Sequence, residues 1–328
     1  MKRGFILFLL ITFVICLQAQ TQKVVFNYTP TKALVLIGAK SYKGDGHIEL
    51  TLPVGTYNYL IAADGYETVE GSFKLNESVQ RTITENLVSL KPLEPIITFD
   101  VNGVSFNMIC VEGGTFRMGG TEEQLEPGSV GYDEFPVHEV TLSTYYIGET
   151  EVTQELWQAI MGTNPSFFKG ERLPVESVSW FACQEFIEKL NQQTGRTFRL
   201  PTEAQWEFAA RGGLKGKGYP YSGSKKAADV AWYSPCKSTT HEVKTKLPNE
   251  LGIYDMAGNV SEWCYDIYGD YYNGPAQLNP TGPLLGDTRV FRGGAWSFNK
   301  LECRSANRYQ YIPQAGKSDR GFRLVLIE

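Results

Sequence analysis

Two prolines set three residues apart, in Lys91-Pro92-Leu93-Glu94-Pro95, divide the chain into parts that follow different patterns. Proline has no amide hydrogen and a fixed φ, so paired prolines favour stiff, extended backbone and interrupt a β-ladder. A linker is therefore expected over residues 91–96, with a short domain before it and a longer one after. A length of 328 residues suits two unequal domains. Apolar residues at 42% and charged residues at 20% exclude a disordered chain.

Over residues 24–90 apolar and polar side chains alternate, as in Ile48-Glu49-Leu50-Thr51-Leu52 and Tyr57-Asn58-Tyr59-Leu60-Ile61. Turns interrupt the pattern at Gly44-Asp45-Gly46, Pro53-Val54-Gly55 and Asp64-Gly65-Tyr66. Period-2 runs at short spacing predict a small antiparallel β domain. Leu52-Pro53-Val54-Gly55-Thr56-Tyr57 together with Asp64-Gly65-Tyr66 resembles the PEGA module of bacterial cell-envelope proteins. That resemblance implies a spacer or adhesion role and no chemistry.

Ahead of this domain, Lys2 and Arg3 precede an apolar run over residues 4–16 and the small residue Ala19. The run falls short of the roughly 20 residues that span a bilayer. Residues 1–19 therefore read as a secretory signal peptide, leaving no transmembrane segment in the mature chain. Lipoprotein anchoring at Cys16 is disfavoured because Ile15, not a small residue, stands before it. The expected location is the periplasm, cell envelope or exterior. Cleavage would leave Cys110, Cys183, Cys236, Cys264 and Cys303, an odd set whose pairing the sequence does not assign. No CxxC pair points to zinc. A net charge of −5 without a basic cluster argues against nucleic acid as a partner.

After the linker, all six tryptophans fall between positions 157 and 296, and 26 of the 33 glycines also follow the linker. Three helices can be placed by their caps. Thr153 opens one that carries Leu156, Trp157, Ile160 and Met161 and stops at Gly162. Ser179 opens a second, with Phe186, Ile187 and Leu190 inward, a Glu185–Lys189 pair and Gly195 at its end. Thr202 and Gln205 form a capping box for a third, with Trp206 and Ala209 inward and Gly212-Gly213 after it. The rest reads as turns, short strands and glycine. Loops of that length need anchors other than regular ladders, and a bound metal is one.

Several ordered texts then combine. They are Val111-Glu112-Gly113-Gly114-Thr115-Phe116-Arg117-Met118-Gly119, Glu149-Thr150-Glu151-Val152-Thr153, Pro174-Val175-Glu176-Ser177-Val178-Ser179-Trp180 and Arg199-Leu200-Pro201-Thr202-Glu203-Ala204-Gln205-Trp206-Glu207. Further on come Asp255-Met256-Ala257-Gly258-Asn259-Val260-Ser261-Glu262-Trp263, Arg292-Gly293-Gly294-Ala295-Trp296 and Gly321-Phe322-Arg323. In this order they resemble the formylglycine-generating enzyme family, also called sulfatase-modifying factors, over residues 97–328. The resemblance implies an irregular α+β fold related to C-type lectins.

Asp255 and Glu262 offer two carboxylates within one loop, and Gly258 lets the backbone turn its carbonyls inward. Hard cations take six to eight oxygens, so this text suits calcium. A tight turn whose acids face water or cap a helix would read the same. The resemblance favours calcium, held by the side chains of Asp255 and Glu262 and the carbonyls of Gly258 and Val260. A second family calcium site would fall near Asp229 and Val230, but Ser234 or Pro235 stands where its later acidic ligand is expected.

The family's chemistry oxidises a substrate cysteine with O₂ at copper(I) held by two cysteine thiolates, soft ligands for a soft ion. Counted from Gly294, Phe298 occupies the first cysteine position and Cys303 the second. Counted back from Arg304-Ser305-Ala306-Asn307-Arg308, the segment is about three residues short, which puts Cys303 at a noncatalytic place and leaves it a weak catalytic candidate. Phenylalanine donates no electron pair, so copper is not expected. His47, His138 and His241 do not match the three-histidine iron site of related sulfoxide synthases. The reading is a calcium-stabilised, noncatalytic binding or scaffolding protein for an envelope protein or glycan. Tyr265, Tyr268, Tyr271, Tyr272 and Trp296 supply either aromatic surface or core. The alternative is an oxygen-dependent oxidoreductase that converts a sulfatase cysteine to formylglycine through Cys303.

Overall fold

A computed structural model of the chain describes residues 20–63, 65–76, 80–88, 93–125, 131–234, 238–270 and 276–327. The leader read over residues 1–19 lies outside these, as do Pro235, Cys236, Tyr271 and Tyr272. The chain divides into two compact units between Leu93 and Glu94. Among the described residues, no helix is long and apolar enough to cross a membrane.

Among the described residues, seven strands build the first unit: β1 (Thr21–Thr29), β2 (Leu34–Ile37), β3 (Lys40–Lys43), β4 (His47–Pro53), β5 (Gly55–Ala62), β6 (Val69–Leu75) and β7 (Arg81–Asn86). They form one sheet in the order β4-β1-β7 and another in the order β3-β2-β5-β6. Alternation sends one set of side chains inward from each sheet into a shared core. There Phe26 of β1 meets Tyr59 and Phe73 edge-on at 5.4 and 5.7 Å. The expected all-antiparallel arrangement needs one correction, because β1 and β7 pair in parallel. The first and last strands of the unit lie side by side after the chain has passed through the second sheet, and no hairpin could join them.

The second unit contains β8 (Ile96–Val101), β9 (Val104–Val111), β10 (Gly114–Met118), β11 (His138–Leu142) and β12 (Tyr145–Gly148). Helices α1 (Gln154–Met161) and α2 (Trp180–Thr194), strand β13 (Phe198–Arg199), and helices α3 (Glu203–Ala210) and α4 (Ala227–Val230) follow. It closes with β14 (Ser261–Ile267), β15 (Gln277–Leu278), β16 (Arg289–Arg292), β17 (Arg308–Tyr311), β18 (Arg320–Gly321) and β19 (Val325–Leu326). The sheet orders are β13-β19-β12-β9-β8, β17-β16-β14-β18 and β10-β11-β15. The linker ends earlier than the sequence suggests. Ile96 already belongs to β8, and the Pro95 carbonyl accepts the Cys110 amide at 3.0 Å.

The caps explain where the helices begin and end. Thr153 and Ser179 accept amide hydrogens at the starts of α1 and α2, while Gly162 and Gly195 take the left-handed conformation at their ends. Thr202 and Gln205 form the expected capping box on α3. That helix differs from expectation in one respect: all eight of its residues are buried, not only one face. It is enclosed by β10, β11, β14 and β16, so even Glu203 and Glu207 must find partners inside.

Those partners are arginines, and they anchor much of the irregular chain. Arg308 binds both oxygens of Glu203 at 2.7 and 2.6 Å and also donates to the carbonyls of Asp133 and Gly269. Arg292 pairs with Glu207 and ties the Asn307 carbonyl. Arg304 binds Glu134 and the Gln124 carbonyl, fastening the segment ahead of β11. Bidentate guanidinium–carboxylate contacts hold loops in fixed orientation where no ladder runs.

Candidate functional site

The loop between Asp255 and β14 is fixed by close backbone approaches. Gly258 has φ 80°, and a Cβ there would stand 2.3 Å from the Trp232 carbonyl oxygen, so only glycine fits. Its amide donates to Gly293 O, the Asn259 amide to Trp232 O and the Trp296 amide to Asn259 O, each at 2.8 Å. Asn259 also exchanges hydrogen bonds with the backbone of His241.

Within this frame Asp255 and Glu262 are both buried but have different surroundings. Asp255 Oδ2 accepts the Lys244 amide at 2.8 Å, while Oδ1 has no hydrogen-bond partner. Burial pushes its carboxyl up to about 6, and Glu262 adds to the rise. Glu262 is already paired, which the sequence did not foresee. Its Oε2 accepts from Trp206 Nε1 and Arg323 Nε, and its Oε1 from Arg323 Nη2, all at 2.6 Å. Arg323 also donates to the carbonyls of Gly148 and Tyr254 at 3.0 Å.

A carboxylate oxygen has two lone pairs, so Oε2 is saturated and Oε1 keeps one. An ion could therefore take Asp255 Oδ1 and Glu262 Oε1 without displacing Arg323, and the donor set is all oxygen, as calcium requires. Among the described residues, no three His, Cys, Asp or Glu side chains already stand at metal-ligand spacing. Asp229, proposed for a second site, is exposed on α4 and accepts Ser224 Oγ at 2.8 Å. His47, His138 and His241 are dispersed: His47 lies on β4, His138 on β11 near the Pro136 carbonyl, and His241 stacks on Trp232 at 3.7 Å.

The copper position does not fit its ion. Phe298 packs on the main core and meets Tyr309 edge-on at 5.3 Å. Cys303 is buried at the end of a short 3₁₀ turn, where its Sγ donates to the Asn299 carbonyl at 3.7 Å. Asn299 caps that turn through a capping box with Glu302, a signal the sequence contains and the reading missed. Cys183 and Cys264 are buried thiols whose pKa burial pushes well up. Of the named aromatics, Tyr265 is 42% exposed. Tyr268 donates to Asp133, and Trp296 is half-buried against Phe168.

Residues 100–327 match the sulfatase-modifying factor enzyme 1-like domain. The chain belongs to the sulfatase-modifying factor family. It is 31% identical to the chaperone protein LppX of Paenibacillus barcinonensis over 68% of this chain and 90% of that one. It is 28% identical to the formylglycine-generating enzyme of Streptomyces coelicolor over 66% of this chain and 87% of the enzyme. Against the chlamydial serine/threonine-protein kinases it also matches, it spans about half their length. Among solved structures, Treponema denticola variable protein 1 superposes with a TM-score of 0.65 at 35% identity, covering 71% of this chain and 99% of that one. The fold is the family's irregular α+β, C-type-lectin-like one.

Glu151 stands in the Glu149-Thr150-Glu151-Val152-Thr153 text and is not among the residues the sequence pointed to for a site. The structure buries that side chain and leaves both of its oxygens without a hydrogen-bond partner. A Glu-x-Glu text ahead of a helix cap carries no signal of burial, so nothing local marked the residue.

Proposed function

We propose that this chain is a noncatalytic member of its family, exported to the cell envelope, where it binds or scaffolds a protein or glycan and is stabilised by calcium. Phe298 at the first copper-ligand position carries this reading. A phenyl ring has no electron pair for copper(I), and one thiolate cannot give the two-sulfur site. The burial of Cys303 within a packed turn adds support.

Calcium would be held by Asp255, Glu262 and the carbonyls of Gly258 and Val260. When bound it would cross-link the loop before β14 and offset the charge of the buried acids. The N-terminal β unit, PEGA-like in its turn motifs, would act as a spacer, and residues 1–19 as the export signal. A relative of similar extent is named a chaperone, which favours a binding role over chemistry. Tyr265 and the half-buried Trp296 would supply aromatic contact area for the ligand.

The test is to incubate the protein with copper and a cysteine-containing sulfatase peptide and measure peptide mass. No mass change is expected. A loss matching thiol-to-aldehyde conversion that requires Cys303 would establish the alternative, an oxygen-dependent oxidase.

A further inference from the structure

Glu151 precedes α1 and is 1% exposed, yet neither carboxylate oxygen has a hydrogen-bond partner. Asp255 is 3% exposed, and its Oδ1 is also unpartnered. A buried carboxylate left this way is unfavourable unless it is neutralised or finds a cation.

Arg323 cannot serve all three acids. Its Nε and Nη2 are on Glu262, Nη1 is on the Gly148 carbonyl, and Nη2 also reaches the Tyr254 carbonyl. Three carboxylates against one guanidinium leave a formal charge of −2 in a buried cluster, which one divalent cation would cancel. A cavity of about 230 Å³, lined in part by Asn107, Glu149, Glu151, Thr153 and Lys244, borders the cluster on its Glu151 side.

We infer that Glu151 is a third acidic residue of the calcium site, sharing one ion with Asp255 Oδ1 and Glu262 Oε1. This rests on the calcium reading above and adds a residue to it. Among the described residues no three such side chains already stand at ligand spacing, so the acids would close on the ion as it binds, directly or across a water. The unpartnered Glu151 and Asp255 oxygens, from separate segments, carry the inference. An acidic cluster satisfied by its own hydrogen bonds would carry none.

The experiment titrates calcium into the whole protein by calorimetry, with terbium luminescence excited through Trp206 as a second readout. Glu151→Gln should weaken calcium binding about tenfold or more. Without calcium the same variant should melt no lower than the wild type, because it removes a buried acid whose oxygens have no hydrogen-bond partner. Glu151→Asp, which keeps the charge, should bind better than Glu151→Gln. If Glu151→Gln binds like the wild type while Asp255→Asn does not, the inference on Glu151 is wrong and the calcium reading stands. If the wild type takes up no calcium, both fall. A calcium-free Glu151→Gln that melts lower would assign the residue a packing role and also overturn the inference.

Discussion

Helix α3 and the approach to α1 both bury acids, and they treat them differently. Glu203 and Glu207 on α3 each meet a guanidinium, from Arg308 and from Arg292. Glu151 and Asp255, in the same unit and equally buried, keep three oxygens without hydrogen-bond partners among them. Burial is the same, so the difference lies in charge matching. Matched acids hold loops in place. Unmatched ones mark where a positive ligand would lower the energy.

The largest expected effect tests that contrast. Arg323→Met should destabilise the second unit by about 3–5 kcal/mol or more, since removing one partner of a buried pair strands the other. Arg304→Met, which strands Glu134 alone, should cost less, because Asp255 and Glu151 add their charge only around Arg323. Urea unfolding of the two variants ranks them, and the reverse order would break the comparison.

Asp266 sharpens it from the matched side. Its Oδ2 accepts the Glu203 amide at 2.9 Å, yet burial, then the Glu203 charge, pushes its carboxyl up to about 7. Between about pH 4 and pH 7 the folded chain holds a proton that the unfolded chain has released, so stability falls as pH rises through that window. Asp266→Asn should remove the fall. It should match the wild type near pH 4 and exceed it by about 1–3 kcal/mol at pH 8. Equal stability of the two proteins at both pH values would show that Asp266 does not titrate there.

A smaller change is expected from Thr202→Ala, which deletes the cap of α3 and should cost about 1 kcal/mol in thermal or urea unfolding. The smallest concerns thiols. Phe298→Cys should gain no tight copper(I) site, because the Cys303 thiol is turned into its own 3₁₀ turn. Competition against a copper(I) chelator checks this, and a two-thiolate site there would show that Phe298 alone blocks copper and that the burial of Cys303 adds nothing to the noncatalytic reading.

The helix ends were legible because a cap depends on residues a few positions apart. Thr153 with Gly162 and Ser179 with Gly195 mark α1 and α2 in the text alone. The complete burial of α3 was not legible, since its Glu203 and Glu207 look like solvent-facing acids until Arg292 and Arg308 arrive from β16 and β17. The parallel pairing of β1 with β7 was hidden for the same reason: alternation reports which face is buried, not which strand lies beside it.

Ordered motifs were enough to identify the family, and one side chain's identity was enough to deny a thiolate at position 298. Which carboxylates are neutralised follows from tertiary packing, which the motifs do not show. Glu151, the Asp255–Glu262 loop and Arg323 come from three separate segments, and whether a charge is matched depends on what packing brings beside it once water is excluded.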